Sequence, residues 1–223
     1  GKMFTTLGHN GINIHAIAQG SSERNISAII NSKDVQKAVN TLHEEFFSDG
    51  RKQINLFIMG VGTVGSRLLE QLRQQHEYLL ENLRLNVRVV GLANSKRLNF
   101  DEEGIDLTNW QEMLASENNS AVKSDSAAEL ILEKNLRNSV FVDVTADASI
   151  VEMYPNLLRK SVSIIACNKV AASSAYEKYA ALKDMAREYN ANFLFETNVG
   201  AGLPVINTLN DLMRSGDRVK RIE

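Results

Sequence analysis

Apolar and polar positions change their spacing partway along the chain, and the change predicts two unlike regions. Residues 1–47 carry short patterned runs: an incomplete helix around KMFTTL, a strand NIHAIAQ, a turn from Gly20 to Arg24, and a strand NISAIIN. Ser32, a residue type suited to an N-cap, then opens the helix KDVQKAVNTLHEEFF, where Val35, Val39, Leu42 and Phe46 fall on one face. Helix, hairpin and helix make a partial α+β unit. The polar stretch SDGRKQ, residues 48–53, is the best boundary. From residue 54 to residue 223, runs nearly continuous in Val, Ile, Leu and Phe (INLFIM, VRVVGLA, FVDVTA, VSIIAC, NFLFETN) alternate with helical patterns (SRLLEQLRQQ, LTNWQEML, SAAELILEK, SIVEMYPNLLRK, AYEKYAALKDMAREYN). A last helix, LPVINTLNDLMRS, opens with Pro204 in its first turn, and the terminal DRVKRIE resembles the start of a further strand. Such alternation predicts a doubly wound α/β fold, a Rossmann-like parallel sheet covered on both faces.

The first strand of this region runs directly into Gly60-Val61-Gly62-Thr63-Val64-Gly65 and then a helix. This order of strand, glycine turn and helix builds a dinucleotide site: Gly60 permits the tight turn, Gly62 admits the pyrophosphate, and Gly65 allows close helix-to-strand packing. The helix N-terminus supplies N–H groups to the anion. In open α/β sheets ligands bind beyond the carboxyl ends of the strands, which directs attention to four further turns. Asn94-Ser95-Lys96-Arg97 follows the second strand and lacks the acid expected for a ribose 2′-hydroxyl, so NADP is preferred and NAD remains possible. A solvated loop with no ligand is the competing reading.

Asp143-Val144-Thr145-Ala146-Asp147 follows the third strand; Thr145 can meet the nicotinamide side through hydroxyl or backbone, while Asp143 and Asp147 suit capping the next helix or closing a turn as well as they suit binding a ligand. Cys167-Asn168-Lys169 follows the fourth, where a partly desolvated Lys169 can orient a carbonyl or relay a proton and Cys167 reads as a buried thiol. Glu196 to Pro204 follows the fifth, a small-residue turn that is either a second ion cradle or a plain connection.

Composition narrows the classes. At 43% hydrophobic content, 223 residues can bury a full core, and a net charge of −2 with scattered cations gives no nucleic-acid footprint. The single cysteine excludes an intrachain disulfide, and no signal pattern or run long enough to span a membrane appears, so the chain reads as cytoplasmic with no membrane partner. No Cys or His cluster has zinc spacing. With Gly1 in place of a methionine and a new strand expected to begin at its end, it reads as a piece of something longer.

The segments GVGTVGSRLLEQL, GLANSK, DVTAD, CNKVAAS and ETNVGAGLPVINTLNDLMRSGD resemble homoserine dehydrogenase in the form fused behind aspartokinase. The N-terminal unit, with LGHNGINIHAIAQGSSERNISAII, resembles the latter half of an aspartokinase regulatory ACT domain, giving a partial ACT-like unit at 1–47 and an NAD(P)-binding domain at 54–223. The resemblance implies NAD(P)-dependent interconversion of aspartate semialdehyde and homoserine, on the route to threonine and methionine. It also implies a pyrophosphate turn at Gly60, Gly62, Thr63, Val64 and Gly65, an adenosine-ribose side at Asn94, Ser95 and Lys96, and Thr145 near the nicotinamide. Lys169 corresponds to the lysine at the cofactor and substrate junction. Val199, Ala201 and Leu203, with Glu196 close by, correspond to the segment holding a monovalent cation such as sodium. The family's substrate and dimerisation region is expected after residue 223, so the fragment is expected to be catalytically incomplete and its parent a homo-oligomer. Two alternatives stand beside this reading: a regulatory module that binds an amino-acid effector and carries a non-catalytic dinucleotide lobe, or another Rossmann dehydrogenase.

Overall fold

A computed structural model describes residues 1–19, 25–47, 50–115, 120–121 and 124–221. The N-terminal unit consists of α1 (Lys2–His9), an antiparallel pair β1 (Ile14–Gln19) and β2 (Ile26–Ile30), and α2 (Val35–Phe47), closed around Leu7, Ile12 and Ala38. The expected turn from Gly20 to Arg24 lies outside the described residues. Asn31, rather than Ser32, is the cap: its side-chain oxygen accepts the Lys33 N–H and opens a 3-10 turn that leads into α2. The apolar face assigned to α2 is also different. Ala38 and Thr41 are buried and Leu42 packs beside them, whereas Val35, Val39 and Phe46 are 47%, 57% and 49% exposed. Helical spacing groups residues on a face without choosing which face meets the neighbouring helix. Here α1 packs on the Ala38 side.

The second region adds β3 (Lys52–Met59), α3 (Thr63–Glu81), β4 (Leu85–Ala93), β5 (Arg97–Phe100), α4 (Trp110–Ala115), β6 (Ser120–Ala121), α5 (Ser124–Lys134), β7 (Ser139–Asp143), α6 (Tyr154–Leu158), β8 (Ser163–Ala166), α7 (Tyr176–Glu188), β9 (Phe193–Leu194) and α8 (Val205–Arg214). The boundary stretch 48–53 falls partly outside the described residues and gives two of its positions, Lys52 and Gln53, to β3. The sheet order is β6-β5-β4-β3-β7-β8-β9. From β4 to β9 neighbouring strands are parallel, as expected, but β5 and β6 add an antiparallel edge. The cause is local: Asn94 Oδ1 accepts the N–H groups of Lys96 and Arg97, closing a tight turn, and so short a connection can only bring the chain back antiparallel.

Leu69 of α3, with Trp110 and Met113 of α4, covers one sheet face over Leu56, Ile58, Val89 and Leu92. Helices α5, α6 and α7 cover the other through Ile131, Tyr154, Leu157 and Leu182. Cover is incomplete at the β8–β9 edge, where Ile165 and Leu194 are 38% and 51% exposed. The expected helix over 149–160 begins instead as a 3-10 turn at Ala148–Met153, since Pro155 fits only the first turn of the α-helix that follows. Pro204 is the N-cap of α8 rather than a residue within it, and residues 217–221 form no strand.

The N-terminal unit docks at the amino edge of this sheet. Asn135, Ser161 and Asn190, left-handed residues where α5, α6 and α7 end, face it. Asn135 donates to Asp34 at 2.9 Å and accepts from Lys37 at 3.2 Å, while Asn190 donates to the His9 carbonyl at 3.1 Å. A cavity of about 760 Å³ lies between the two regions, lined among others by Lys37, Thr41, Glu45, Ser139 and Ser163. Burial pushes the Lys37 ammonium down to about 8. The Thr41 hydroxyl is buried there with no hydrogen-bond partner among the described residues.

Candidate dinucleotide site

The opposite, carboxyl edge of the sheet carries the glycine turn. The chain runs from β3 to β4 on one side and returns to β7 on the other, so this turn stands at the topological switch point. Gly60 has φ +104, and a Cβ there would stand 2.9 Å from the Val144 carbonyl oxygen and 3.2 Å from the Thr145 methyl. Both backbone freedom and close approach therefore require glycine. Gly65 is tighter still: a Cβ would lie 2.0 Å from the Gly60 carbonyl oxygen. Gly62 differs from both. It is the N-cap of α3, has no side chain to cap the helix, and a Cβ there would meet nothing within 4 Å. The first-turn N–H groups of α3, at exposed Thr63 and Val64, thus open onto free space, the arrangement an anion requires.

The other turns gather around this one. Gly60 N–H donates to the Ala93 carbonyl, which brings the Asn94–Lys96 turn alongside, and Val144 N–H donates to the Met59 carbonyl. Ser95 and Lys96 are exposed. Arg97, grouped with them by sequence, belongs to β5, and its guanidinium donates to the carbonyls of Leu114 and Ala115 at the end of α4. Its charge serves the helix C-terminus.

After β7 and β8 the turns are tied to each other. Asp143 is fully buried, with one carboxylate oxygen accepting the Thr145 N–H at 2.8 Å and hydroxyl at 2.7 Å. The other accepts the Tyr154 hydroxyl at 2.7 Å and the Asn168 amide at 3.0 Å. Of capping, turn closure and ligand binding, the roles open to Asp143 in sequence, its contacts are those of turn closure, extended to a second strand end. Thr145 consequently spends both of its donors inward. Burial, then the neighbouring Asp143 charge, pushes the Tyr154 hydroxyl well above its ordinary range and keeps its proton in place. Asp147 caps the following 3-10 turn through Ser149 N–H, which holds its carboxyl below the usual range. Asn168 and Tyr154 were not identified as site-forming from sequence. The only local signal was the Asx-turn spacing from Asp143 to Thr145.

Lys169, next to buried Asn168, is exposed rather than partly desolvated, and Cys167 is half-buried, its sulfur accepting the Thr197 hydroxyl at 3.3 Å. Asn198 donates to the Asn168 carbonyl at 3.3 Å, which joins the last turn to the junction. Glu196 points elsewhere. Its two carboxylate oxygens accept the N–H groups of Ile206 at 3.0 Å and Asn207 at 2.9 Å, capping α8. Val199, Ala201 and Leu203 form an exposed loop with Gly200 and Ala201 both left-handed, and the Leu203 carbonyl accepts the Val205 N–H. No group of three or more His, Cys, Asp or Glu suited to a metal occurs among the described residues. Nor is any helix among them long and apolar enough to cross a membrane.

Residues 1–46 match the ACT domain model, and residues 60–196 match the model for the NAD-binding domain of homoserine dehydrogenase. A chloroplastic bifunctional aspartokinase/homoserine dehydrogenase of Arabidopsis thaliana is 37% identical over 99% of this chain, and the Haemophilus influenzae bifunctional enzyme 38% identical over 100%. The chain spans about a quarter of the length of each, 24% and 27%. A Schizosaccharomyces pombe homoserine dehydrogenase is 32% identical over 79% of the chain and 47% of its own length. Among solved structures, a hyperthermophilic archaeal homoserine dehydrogenase in complex with NADPH superposes with a TM-score of 0.59 at 25% identity, covering 71% of this chain and 48% of its own. With more than half of its residues matched by that NAD-binding model and an ACT domain ahead of it, the chain belongs to the homoserine dehydrogenase family.

Proposed function

We propose that this chain supplies the nicotinamide-dinucleotide half of a homoserine dehydrogenase, which interconverts aspartate semialdehyde and homoserine in a polypeptide that also carries aspartokinase. The open space over Gly62, at the sheet edge that also carries the turns after β4, β7, β8 and β9, is the observation that carries this reading. In it, the pyrophosphate sits on the first turn of α3 at Thr63 and Val64, and the adenosine ribose lies against Asn94, Ser95 and Lys96. Thr145 flanks the nicotinamide, and Lys169 stands where substrate meets cofactor. When bound, the dinucleotide supplies the hydride; the chain's own groups position it. Backbone carbonyls of Val199, Ala201 and Leu203 are the proposed seat of a monovalent cation, with Glu196 bracing the adjoining helix. A reducing, cytoplasm-like compartment suits the free thiol, and the half-exposed Leu212 and Met213 of α8 suit burial against the remainder of an oligomeric parent.

Calorimetric titration with NADPH is the test: saturable binding by this chain supports the reading, and no heat at millimolar cofactor removes it. NADP selectivity is read from Lys96→Ala, which should weaken NADPH several-fold more than NADH because only the former carries a 2′-phosphate. Arg97→Ala should instead lower stability and affect both cofactors alike, since its guanidinium holds the end of α4.

The cavity between the two regions favours a second, compatible reading, an amino-acid effector site. A desolvated Lys37 ammonium suits a carboxylate, and the buried Thr41 hydroxyl, without a hydrogen-bond partner among the described residues, suits an ammonium, with Glu45, which pairs with Lys2 at 2.9 Å, at the same cavity. Threonine and methionine are the ligands to titrate in the same calorimeter.

A further inference from the structure

Asp143 is the least economical residue of the carboxyl edge. Removing a carboxylate from water costs several kcal/mol even after relaxation, so a buried one is retained only where its lone pairs are satisfied. Here four neutral donors converge on its two oxygens. A carboxylate is acceptor-only, which a carboxamide of the same shape is not. Every group that touches it is therefore forced to donate, and the polarity of the surrounding turns follows.

The Thr145 N–H and O–H both point inward, and its hydroxyl oxygen in turn accepts the Asp147 N–H at 3.3 Å and the Asn168 amide at 3.5 Å, which leaves the Thr145 carbonyl as the acceptor this residue offers outward. The Asn168 amide donates to Asp143 and, at 2.9 Å, to the Asp147 carbonyl, so its own oxygen faces the Val170 N–H at 3.1 Å. The Asn168 carbonyl takes the Asn198 side chain. One carboxylate thus fixes Thr145, two residues beyond β7, the residue that precedes Lys169 after β8, and, one bond further, the entry to the 199–203 loop.

We propose that Asp143 is a positioning residue for the nicotinamide end of the site. By turning the N–H and O–H of Thr145 inward it leaves that residue's carbonyl to face the junction, an acceptor suited to the carboxamide NH2 of a nicotinamide ring, and by holding Asn168 it sets the backbone that carries Lys169. The proposal rests on the dinucleotide reading and deepens it.

The experiment titrates NADPH and 2′-phospho-ADP-ribose, which lacks the nicotinamide, into the wild-type chain, Asp143→Asn, Thr145→Val and Tyr154→Phe, with thermal melting of each. Asp143→Asn places an NH2 against groups that already donate, and NADPH affinity should fall at least about fivefold, the scale of one net hydrogen bond, while 2′-phospho-ADP-ribose affinity stays within about twofold. Thr145→Val, a milder change, should give the same split if Asp143→Asn does not fold. Tyr154→Phe removes a donor on the core side of the same carboxylate and should lower the melting temperature without the split. Equal losses for both ligands, or unchanged affinities, in the Asp143 and Thr145 variants would reduce Asp143 to a structural residue and overturn the proposal. A wild-type chain that binds 2′-phospho-ADP-ribose but gains nothing from the nicotinamide would overturn it as well. Failure of the wild type to bind either ligand would instead reject the dinucleotide reading on which it rests.

Discussion

Gly62→Val is expected to weaken NADPH binding by about 5- to 150-fold, the equivalent of the 1–3 kcal/mol typical of overpacking, with little loss of fold stability. Gly65→Ala is expected to do the reverse damage. The two glycines share a six-residue motif, but a Cβ at 62 meets open space and one at 65 would stand 2.0 Å from a backbone oxygen and 3.2 Å from the Val144 side chain. Backbone cannot rotate away as a side chain can, so α3 must shift off β3, at a cost of about 3 kcal/mol or more. For a chain of this size that lowers the melting temperature by roughly 6–12 °C. The N-cap exchange at 62, from one residue without a capping oxygen to another, costs about 1 kcal/mol and shifts it by about 2–4 °C. Calorimetric titration and thermal melting on the same samples decide it. Unchanged affinity in the stably folded Gly62→Val would remove this turn from the site.

What could be read in sequence followed the range of the interactions. The glycine turn was legible because its requirements are local: φ at Gly60, a cap without a side chain at Gly62, contact between residues five apart at Gly65. The parallel strands were legible because burial on two faces leaves unbroken apolar runs. The antiparallel edge was not, because it depends on one amide, Asn94 Oδ1, closing a turn that reads equally well as a ligand loop. Arg97 was misassigned for the same reason: its partners, Leu114 and Ala115, arrive only when α4 packs. The α2 face failed differently, since Val35, Val39 and Phe46 do share a face and that face simply points outward. Asp143 is the extreme case. Its partners lie 2, 11 and 25 residues along the chain, and only the sheet order brings them to one carboxylate.

The 223-residue chain alone should oxidise NADPH with aspartate semialdehyde at least about a hundredfold more slowly than a polypeptide carrying the rest of a full-length relative, the lower end of what a positioned general acid contributes. The reason is the state of the groups already present. Around the strand ends, buried Asp143 is occupied by four donors, the Tyr154 hydroxyl is spent on Asp143 and held protonated by burial, and the Glu196 carboxylate caps α8. The Cys167 sulfur accepts from Thr197. Lys169 remains, and it is exposed. A hydrated lysine can attract an anionic substrate but cannot hold an aldehyde in near-attack geometry, and an alkoxide forming beside it is stabilised much less than in a closed, water-excluded site. On the proposed dinucleotide reading, cofactor binding should survive in this chain alone, because the glycine turn and the strand-end network both lie within it. The comparison is therefore of turnover at saturating NADPH, with calorimetric affinity measured alongside. Loss of both would point to a misassembled site, and loss of turnover alone is the expected result. If the fragment matched the longer polypeptide, the groups that orient the aldehyde and protonate the alkoxide would have to lie between residues 54 and 223. Lys169→Met would then be the variant to abolish turnover while sparing NADPH affinity.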